Sequence, residues 1–273
     1  MQKTLLVTGA TDGIGLETAK RLAARGHDVV LHGRNPAKLE RAAEAVAAVT
    51  DGGRVERYAA DLSRLAEVET LAEAIAARAG GIDVLINNAG VFRVAEPRTE
   101  DGLDVRFAVN AIAPYALTRR LLPVLGVTGR VVNLSSAAQA PVDARALTGA
   151  RALADDAAYA QSKLALTMWS RSLATSLGDR GPVIVAVNPG SFLASKMVEE
   201  AYGVAGSDLG IGAEILCEAA LSDSFANASG RYYDNDAGRF ASPHPDATDP
   251  TRNDAIVELI ERVLERSQRG ENE

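Results

Sequence analysis

Short apolar runs alternate with longer stretches whose apolar residues recur every three or four positions, and the alternation continues along most of the chain. The runs at 5–7, 28–32, 82–86, 130–134 and 183–187 are rich in Val, Ile and Leu, which predicts strands buried on both faces, and 55–59 and 230–233 are further strand candidates. Helical periodicity predicts helices over 16–24, 36–49, 63–79, 103–122, 164–177 and 211–221, with a terminal amphipathic helix beginning at 256–263. Residues 192–207, with Phe192, Leu193, Met197, Val198 and Tyr202, read as a loop or helical flap over an apolar pocket, or as an ordinary surface helix. Strands and helices in this order predict an α/β fold, a doubly wound and mostly parallel seven-stranded sheet with helices on both faces. The segment beyond Asp234 is expected to be a loop.

With 273 residues the chain can bury one substantial core, and nothing in it demands a second. Residues 1–247 are expected to form the domain and 248–273 to supply its C-terminal helix and polar tail. A net charge of -7 and the lack of a long basic patch argue against nucleic-acid binding. No apolar run reaches membrane-spanning length and strand pattern begins by Thr4, which leaves no room for a signal peptide, so the cytoplasm is the expected location. The single cysteine, Cys217, excludes an intrachain disulfide and sits in an apolar helical context. His244 has no spaced ligand cluster beside it, so no metal site is expected.

Six places along the chain carry candidate chemistry. Gly9, Gly13 and Gly15 break the first strand before a helix: Gly9 can turn without a Cβ, Gly13 admits a pyrophosphate, and Gly15 allows close packing. At the end of the second strand, where a carboxylate would hold ribose hydroxyls, stand Gly33 and Arg34. Arg34 can pair with a 2′-phosphate, or it is a solvated residue at a helix start. Asn87-Asn88-Ala89-Gly90 leaves the fourth strand, where the amides either line a crevice or make ordinary turn chemistry. Asn110 is an amide in an apolar helical setting and needs a partner. Ser135 and Ser136 end the fifth strand, and Tyr159 and Lys163, four apart, share one helix face.

Taken together these motifs resemble the short-chain dehydrogenase/reductase family. Thr8-Gly9, Gly13-Ile14-Gly15 and Asn87 to Gly90 resemble its cofactor loop and strand-end motif. Asn110, Ser136, Tyr159 and Lys163 match its catalytic tetrad in order, Asn188-Pro189-Gly190 matches the turn after its sixth strand, and the likeness spans about residues 3–240. The resemblance implies a Rossmann-type oxidoreductase domain. Tyr159 would be the general acid for carbonyl reduction and the general base for alcohol oxidation, with Lys163 favouring its phenolate and holding the nicotinamide ribose. Ser136 would orient the substrate oxygen, and Asn110 would hold a water in a relay to Lys163. The resemblance assigns Gly9, Gly13, Ile14 and Gly15 to the pyrophosphate, Arg34 to the 2′-phosphate, Asp61 and Leu62 to the adenine pocket, and Asn88, Ala89 and Gly90 to the adenosine side. Pro189 and Gly190, with Tyr159 and Lys163, would frame the nicotinamide. NADP is therefore the expected cofactor, although Asp12 stands where NADP-preferring members often have a basic residue.

The separation of 23 between Ser136 and Tyr159 is longer than in compact members and implies an inserted loop or short helix beside the active-site mouth. That arrangement is similar to the retinol dehydrogenase-like and protochlorophyllide reductase-like branch, whose substrates are often bulky and apolar. Ala194 stands where the family often has Thr, and Ser195 could replace its contact. The stripe Leu166, Met168, Trp169, Leu173 and Leu177 is a core or subunit-packing face, and the resemblance implies a homodimer or homotetramer. The expected activity is NADP-dependent interconversion of a ketone or aldehyde with an alcohol. Reduction of an activated carbon–carbon double bond and a non-catalytic cofactor-binding role are the alternatives.

Overall fold

The computed structural model describes residues 1–191 and 208–270. Strands β1 (Thr4–Val7), β2 (Asp28–Gly33), β3 (Val55–Ala59), β4 (Val84–Asn87), β5 (Arg130–Leu134), β6 (Val183–Asn188) and β7 (Tyr232–Asp234) run parallel in the order β3-β2-β1-β4-β5-β6-β7. The winding reverses between β1 and β4, which opens a crevice at their carboxyl ends.

The sheet has an eighth strand. β8 (Arg239–Ala241) pairs antiparallel with β7, so the expected loop after Asp234 is a hairpin and the expected count of seven is short by one. Three residues are too few to carry a strand pattern. Their conformation is set at a distance, by Phe240 packing with Phe225 and Tyr233 at ring separations of 5.2 and 5.1 Å.

Helices α1 (Gly13–Ala24), α2 (Pro36–Ala47) and α8 (Leu209–Leu221) cover the face formed by Leu5, Val7, Val29, Leu31 and Val185. The opposite face, with Leu6, Val30, Leu85, Val131 and Ile184, is covered by α3 (Leu65–Ala76), α5 (Ala113–Leu125), α7 (Asp155–Leu177) and α9 (Pro250–Arg269). The stretch expected as one helix over 103–122 is α4 (Val105–Phe107), a π turn at Ala108–Ile112, and then α5. Pro114 has no N–H, so the α-type bond to the carbonyl of Asn110 cannot form, and the ladder widens there. The indole of Trp169 donates to the carbonyl of Ala111 at 3.1 Å, satisfying another group in the widened turn.

Leu166, Met168, Trp169 and Leu173 are buried in the same core cluster as Ile256, Ile260 and Val263 of α9. Of the two readings of the stripe, core or subunit-packing face, these four residues form core, packed by the chain's own C-terminal helix. Among the described residues no helix is long and apolar enough to cross a membrane.

Candidate active site

A cavity of about 700 Å³ lies along the carboxyl ends of the parallel strands. Its adenosine-side wall is stitched from backbone. Gly9 has φ +65°, and a Cβ there would stand 2.8 Å from Cα of Ala89; a Cβ on Gly15 would stand 2.3 Å from the carbonyl oxygen of Gly9. Asn88 donates its side-chain amide to the carbonyls of Thr8 (2.8 Å) and Gly9 (3.1 Å), while Thr8 Oγ1 accepts from the backbone of Asn88 and Ala89. The strand-end amide thus locks the two turns together, and its neighbour Asn87 bonds inward to Asn133 and Thr118. Asp12 makes no capping bond to α1, whose first residues, Gly13, Ile14 and Gly15, line the cavity.

Gly33 has a second reason to be glycine, since a Cβ would stand 2.3 Å from Cγ2 of Thr11. Exposed Arg34 lines the rim with Asn35 and Lys38. Asn35 caps α2 by accepting from the Lys38 backbone at 3.0 Å, which places Lys38 one turn along the helix and on the same rim as Arg34. Lys38 escaped the sequence reading, although its spacing of four from Arg34 was the available signal. Asp61 and Leu62 line the same cavity, with the Asp61 carboxylate holding the backbone and hydroxyl of Ser63.

His32 is the other omission. Its ring is buried: Nδ1 accepts from the backbone of Gly9 at 3.3 Å, and Nε2 donates to the carbonyl of Ala60 at 3.0 Å. Burial pushes its pKa down to about 4, outweighing the Ala60 bond and the charge of Asp61. It is neutral at pH 7 and ties the glycine turn to the adenine-side turn.

The chemistry end is built from side chains. Ser136, Tyr159 and Lys163 line the same cavity, with Val91, Phe92, Val94 and Val109 forming an apolar wall beside them. The ring of Phe92 lies 4.7 Å from that of Tyr159. Lys163 is buried, its Nζ donating to the carbonyl of Leu134 at 2.7 Å and lying 5.7 Å from the Tyr159 ring centre. Among the described residues no carboxylate forms an ion pair with it, and burial lowers its pKa to about 8. Both serines line the cavity: Ser135 is buried and shares a 2.7 Å bond with Thr167, while the Ser136 hydroxyl accepts from the backbone of Ala138 at 3.1 Å.

Asn110 lies behind that wall rather than in it. Its amide accepts from the backbone of Val91 at 2.8 Å and donates to the Val91 carbonyl (2.9 Å) and to Ser162 (3.0 Å). Its side chain is committed to positioning the strand-end loop against α7. Buried Arg106 steadies the start of α7 through ion pairs with Asp104 and Asp155.

Pro189 and Gly190 line the cavity after β6. The segment expected as a flap, and Ala194 and Ser195 within it, lie outside the described residues. The insertion before Tyr159 contains a short helix, α6 (Ala144–Leu147). Of residues 137–158 only Ala137 and Ala138 line the cavity, while Ala146 and Leu147 enter the core and Gly149 packs against the backbone of Gly102. The two buried apolar residues of this four-residue helix pack toward α9.

The profile of the short chain dehydrogenase family matches residues 3–203. Retinol dehydrogenase 13 of Homo sapiens is 32% identical over 268 residues, covering 90% of this chain and 80% of that protein. A crystal structure of an uncharacterized protein from Mycobacterium paratuberculosis aligns with a TM-score of 0.81 at 30% identity, covering 97% of this chain and 94% of that one. A short chain dehydrogenase from Burkholderia cenocepacia, crystallised in complex with NADP, gives a TM-score of 0.68 at 27% identity and covers 85% and 95% of the two chains. With a family match over residues 3–203 and a fold shared over nearly its whole length, the chain belongs to the short-chain dehydrogenase family.

Proposed function

We propose that the chain is an NADP-dependent oxidoreductase that interconverts a ketone or aldehyde with an alcohol on a medium or bulky apolar substrate. The observation that carries the reading is the meeting, in one cavity, of a glycine turn packed too closely to admit a Cβ at Gly9 or Gly15 with a buried lysine one helical turn from Tyr159. The cradle fits a dinucleotide: Gly9, Gly13, Ile14 and Gly15 would receive the pyrophosphate at the start of α1. Arg34 and Lys38 would hold the 2′-phosphate, Asp61 and Leu62 the adenine, and Asn88, Ala89 and Gly90 the adenosine side. Tyr159, Lys163, Pro189 and Gly190 would frame the nicotinamide. NADP in the Burkholderia cenocepacia structure supports this assignment.

When bound, NADPH supplies a hydride to the substrate carbon. Ser136 donates a hydrogen bond to the substrate oxygen and Tyr159 delivers the proton to it. A free phenol has a pKa of about 10 and gives up its proton poorly near neutrality. Below about pH 8 the Lys163 ammonium favours the phenolate, and its burial without a carboxylate keeps that charge unscreened. Asn110 serves the proton path through its backbone carbonyl, which Pro114 cannot engage, as acceptor for a water leading to Lys163. The apolar wall of Val91, Phe92, Val94 and Val109 supports the substrate class, and so does the identity with retinol dehydrogenase 13.

The test is NADPH and NADH oxidation across apolar aldehydes and ketones with product identification. Alcohol formation with NADPH, reduced on the order of 1,000-fold or more in Tyr159→Phe with cofactor affinity retained, is the expected result. Carbonyl reduction that survives the substitution would remove Tyr159 from the chemistry.

A further inference from the structure

The hairpin of β7 and β8 reaches both turns at the chemistry end of the cleft. Tyr232 is buried and donates its hydroxyl to the carbonyl of Ser136 at 3.1 Å, beside a 2.9 Å bond from Gln139 to the same oxygen. The hairpin turn then wraps the residues after β6. The Asp236 carboxylate accepts from the backbone of Ser191 (2.8 Å), the Ser191 hydroxyl (2.6 Å) and the side-chain amide of Asn188 (2.9 Å). Asp234 accepts from that same amide at 2.9 Å, and Asn235 donates to the carbonyls of Pro189 (2.9 Å) and Asn188 (3.1 Å). None of these bonds is needed to pair β7 with β8. The hairpin is itself held by Phe225, Tyr233 and Phe240 and by Arg231, stacked 3.8 Å over Phe240. Burial raises the Asp236 pKa, but the bonds from Ser191 and Asn188 outweigh it and hold the carboxyl below its ordinary range, so it is an anion at neutral pH.

Resting on the reading of the cleft as an NADP site, we infer that Asp236 is a positioning residue for the nicotinamide end: it fixes the Pro189-Gly190-Ser191 turn from a strand hairpin that touches neither the glycine cradle nor the Arg34 rim. Gly190 has φ +120°, a conformation open to glycine, and the donors on either side of it, Asn188 and Ser191, converge on this one carboxylate.

The consequence is an asymmetry between the two ends of the cofactor, measurable by binding. The full chain, Asp236→Ala, Asp236→Asn and Tyr232→Phe are titrated calorimetrically with NADPH and with adenosine 2′,5′-bisphosphate, which carries the phosphorylated adenosine end and no nicotinamide. Asp236→Ala is expected to weaken NADPH about 10-fold while adenosine 2′,5′-bisphosphate changes by less than about twofold. Tyr232→Phe, which cuts the hairpin's other contact, is expected to leave the ratio of the two affinities unchanged. Equal loss for both ligands, no loss for either, or the same shift in Tyr232→Phe would overturn the assignment. If Asp236→Ala does not fold, Asp236→Asn, which keeps the shape and one acceptor, decides by the same ratio with an expected shift of about threefold. Failure of the unsubstituted chain to bind adenosine 2′,5′-bisphosphate would instead sink the NADP reading itself.

Discussion

The two ends of the cleft are made in different ways. At the adenosine end the working surface is main chain: Gly9 and Gly15 exist so that one backbone can lie against another, and Thr8 and Asn88 hold the turns with bonds to backbone groups. At the chemistry end the working groups are side chains, and the central one, Lys163, is a buried ammonium that burial alone would rather see neutral. The first end makes binding and folding the same property, because what shapes the site also packs the sheet. The second sets them against each other, because the charge proposed to assist Tyr159 is a charge the folded chain holds at a cost.

Paired substitutions break or sharpen that contrast, and the largest effect is expected at Lys163. Lys163→Met should lower kcat on the order of 1,000-fold, by removing the charge that favours the phenolate. The Tm of the cofactor-free protein at pH 7 should hold or rise. The folded-state pKa of about 8 lies below the ordinary 10.5, so the buried charge opposes folding fully below pH 8 and progressively less from there to 10.5; its loss offsets the lost bond to Leu134. Gly15→Ala should do the opposite: a Cβ 2.3 Å from Gly9 and 2.4 Å from Asn88 forces the turn apart. Stability is expected to fall by about 2 kcal/mol and NADPH affinity by about 100-fold together. Thermal melts and cofactor titrations check both; a Tm loss in Lys163→Met equal to that in Gly15→Ala would erase the distinction.

The same contrast explains what was legible beforehand. Backbone-built turns need particular residues at fixed short spacings, so Gly9 to Gly15 and Asn87 to Gly90 could be read directly. Tyr159 and Lys163 could be read because four residues is one helical turn. The supports at the chemistry end come from far along the chain: Asp236 lies 45 residues beyond Ser191, and Tyr232 lies 96 beyond Ser136. No local pattern links such pairs, and β8 was invisible for the same reason. His32 was hidden differently, since alternation marks a buried strand position without saying that an imidazole there holds Gly9. Asn110 is legible as an amide that needs a partner, because it stands in an apolar helix, but the pattern does not name that partner; Val91 and Ser162 are the side chain's partners.

A smaller effect tests whether charge selectivity belongs to the adenosine end alone. Arg34 and Lys38 lie on an exposed rim and support little of the fold, so replacing both by alanine should leave Tm within experimental error. The KM for NADPH should rise by about 100-fold, two charge-assisted contacts being lost, while the KM for NADH changes little. Equal loss with both cofactors would place the 2′-phosphate elsewhere.

The smallest expected effect concerns acid, and it falls on the adenosine end through His32. Neutral His32 accepts from Gly9 and donates to Ala60; a proton on Nδ1 would face the Gly9 N–H and break the tie. Its folded-state pKa of about 4 lies below the ordinary 6.5, so between those values the unfolded chain binds a proton that the folded chain refuses. Stability therefore falls as pH drops through that window, by about 2 kcal/mol between pH 7 and pH 5 from this one group. A glutamine has an acceptor and a donor at similar reach and does not titrate. His32→Gln should accordingly keep NADPH affinity at pH 7 and flatten the pH 7 to pH 5 difference in urea-unfolding free energy by about that amount. An unchanged slope would show that the ring is not held neutral. A flattened slope with lost affinity would mean that glutamine fails to rebuild the tie between the glycine turn and Ala60, which makes the imidazole's shape, and not only its neutrality, part of how the backbone end is held.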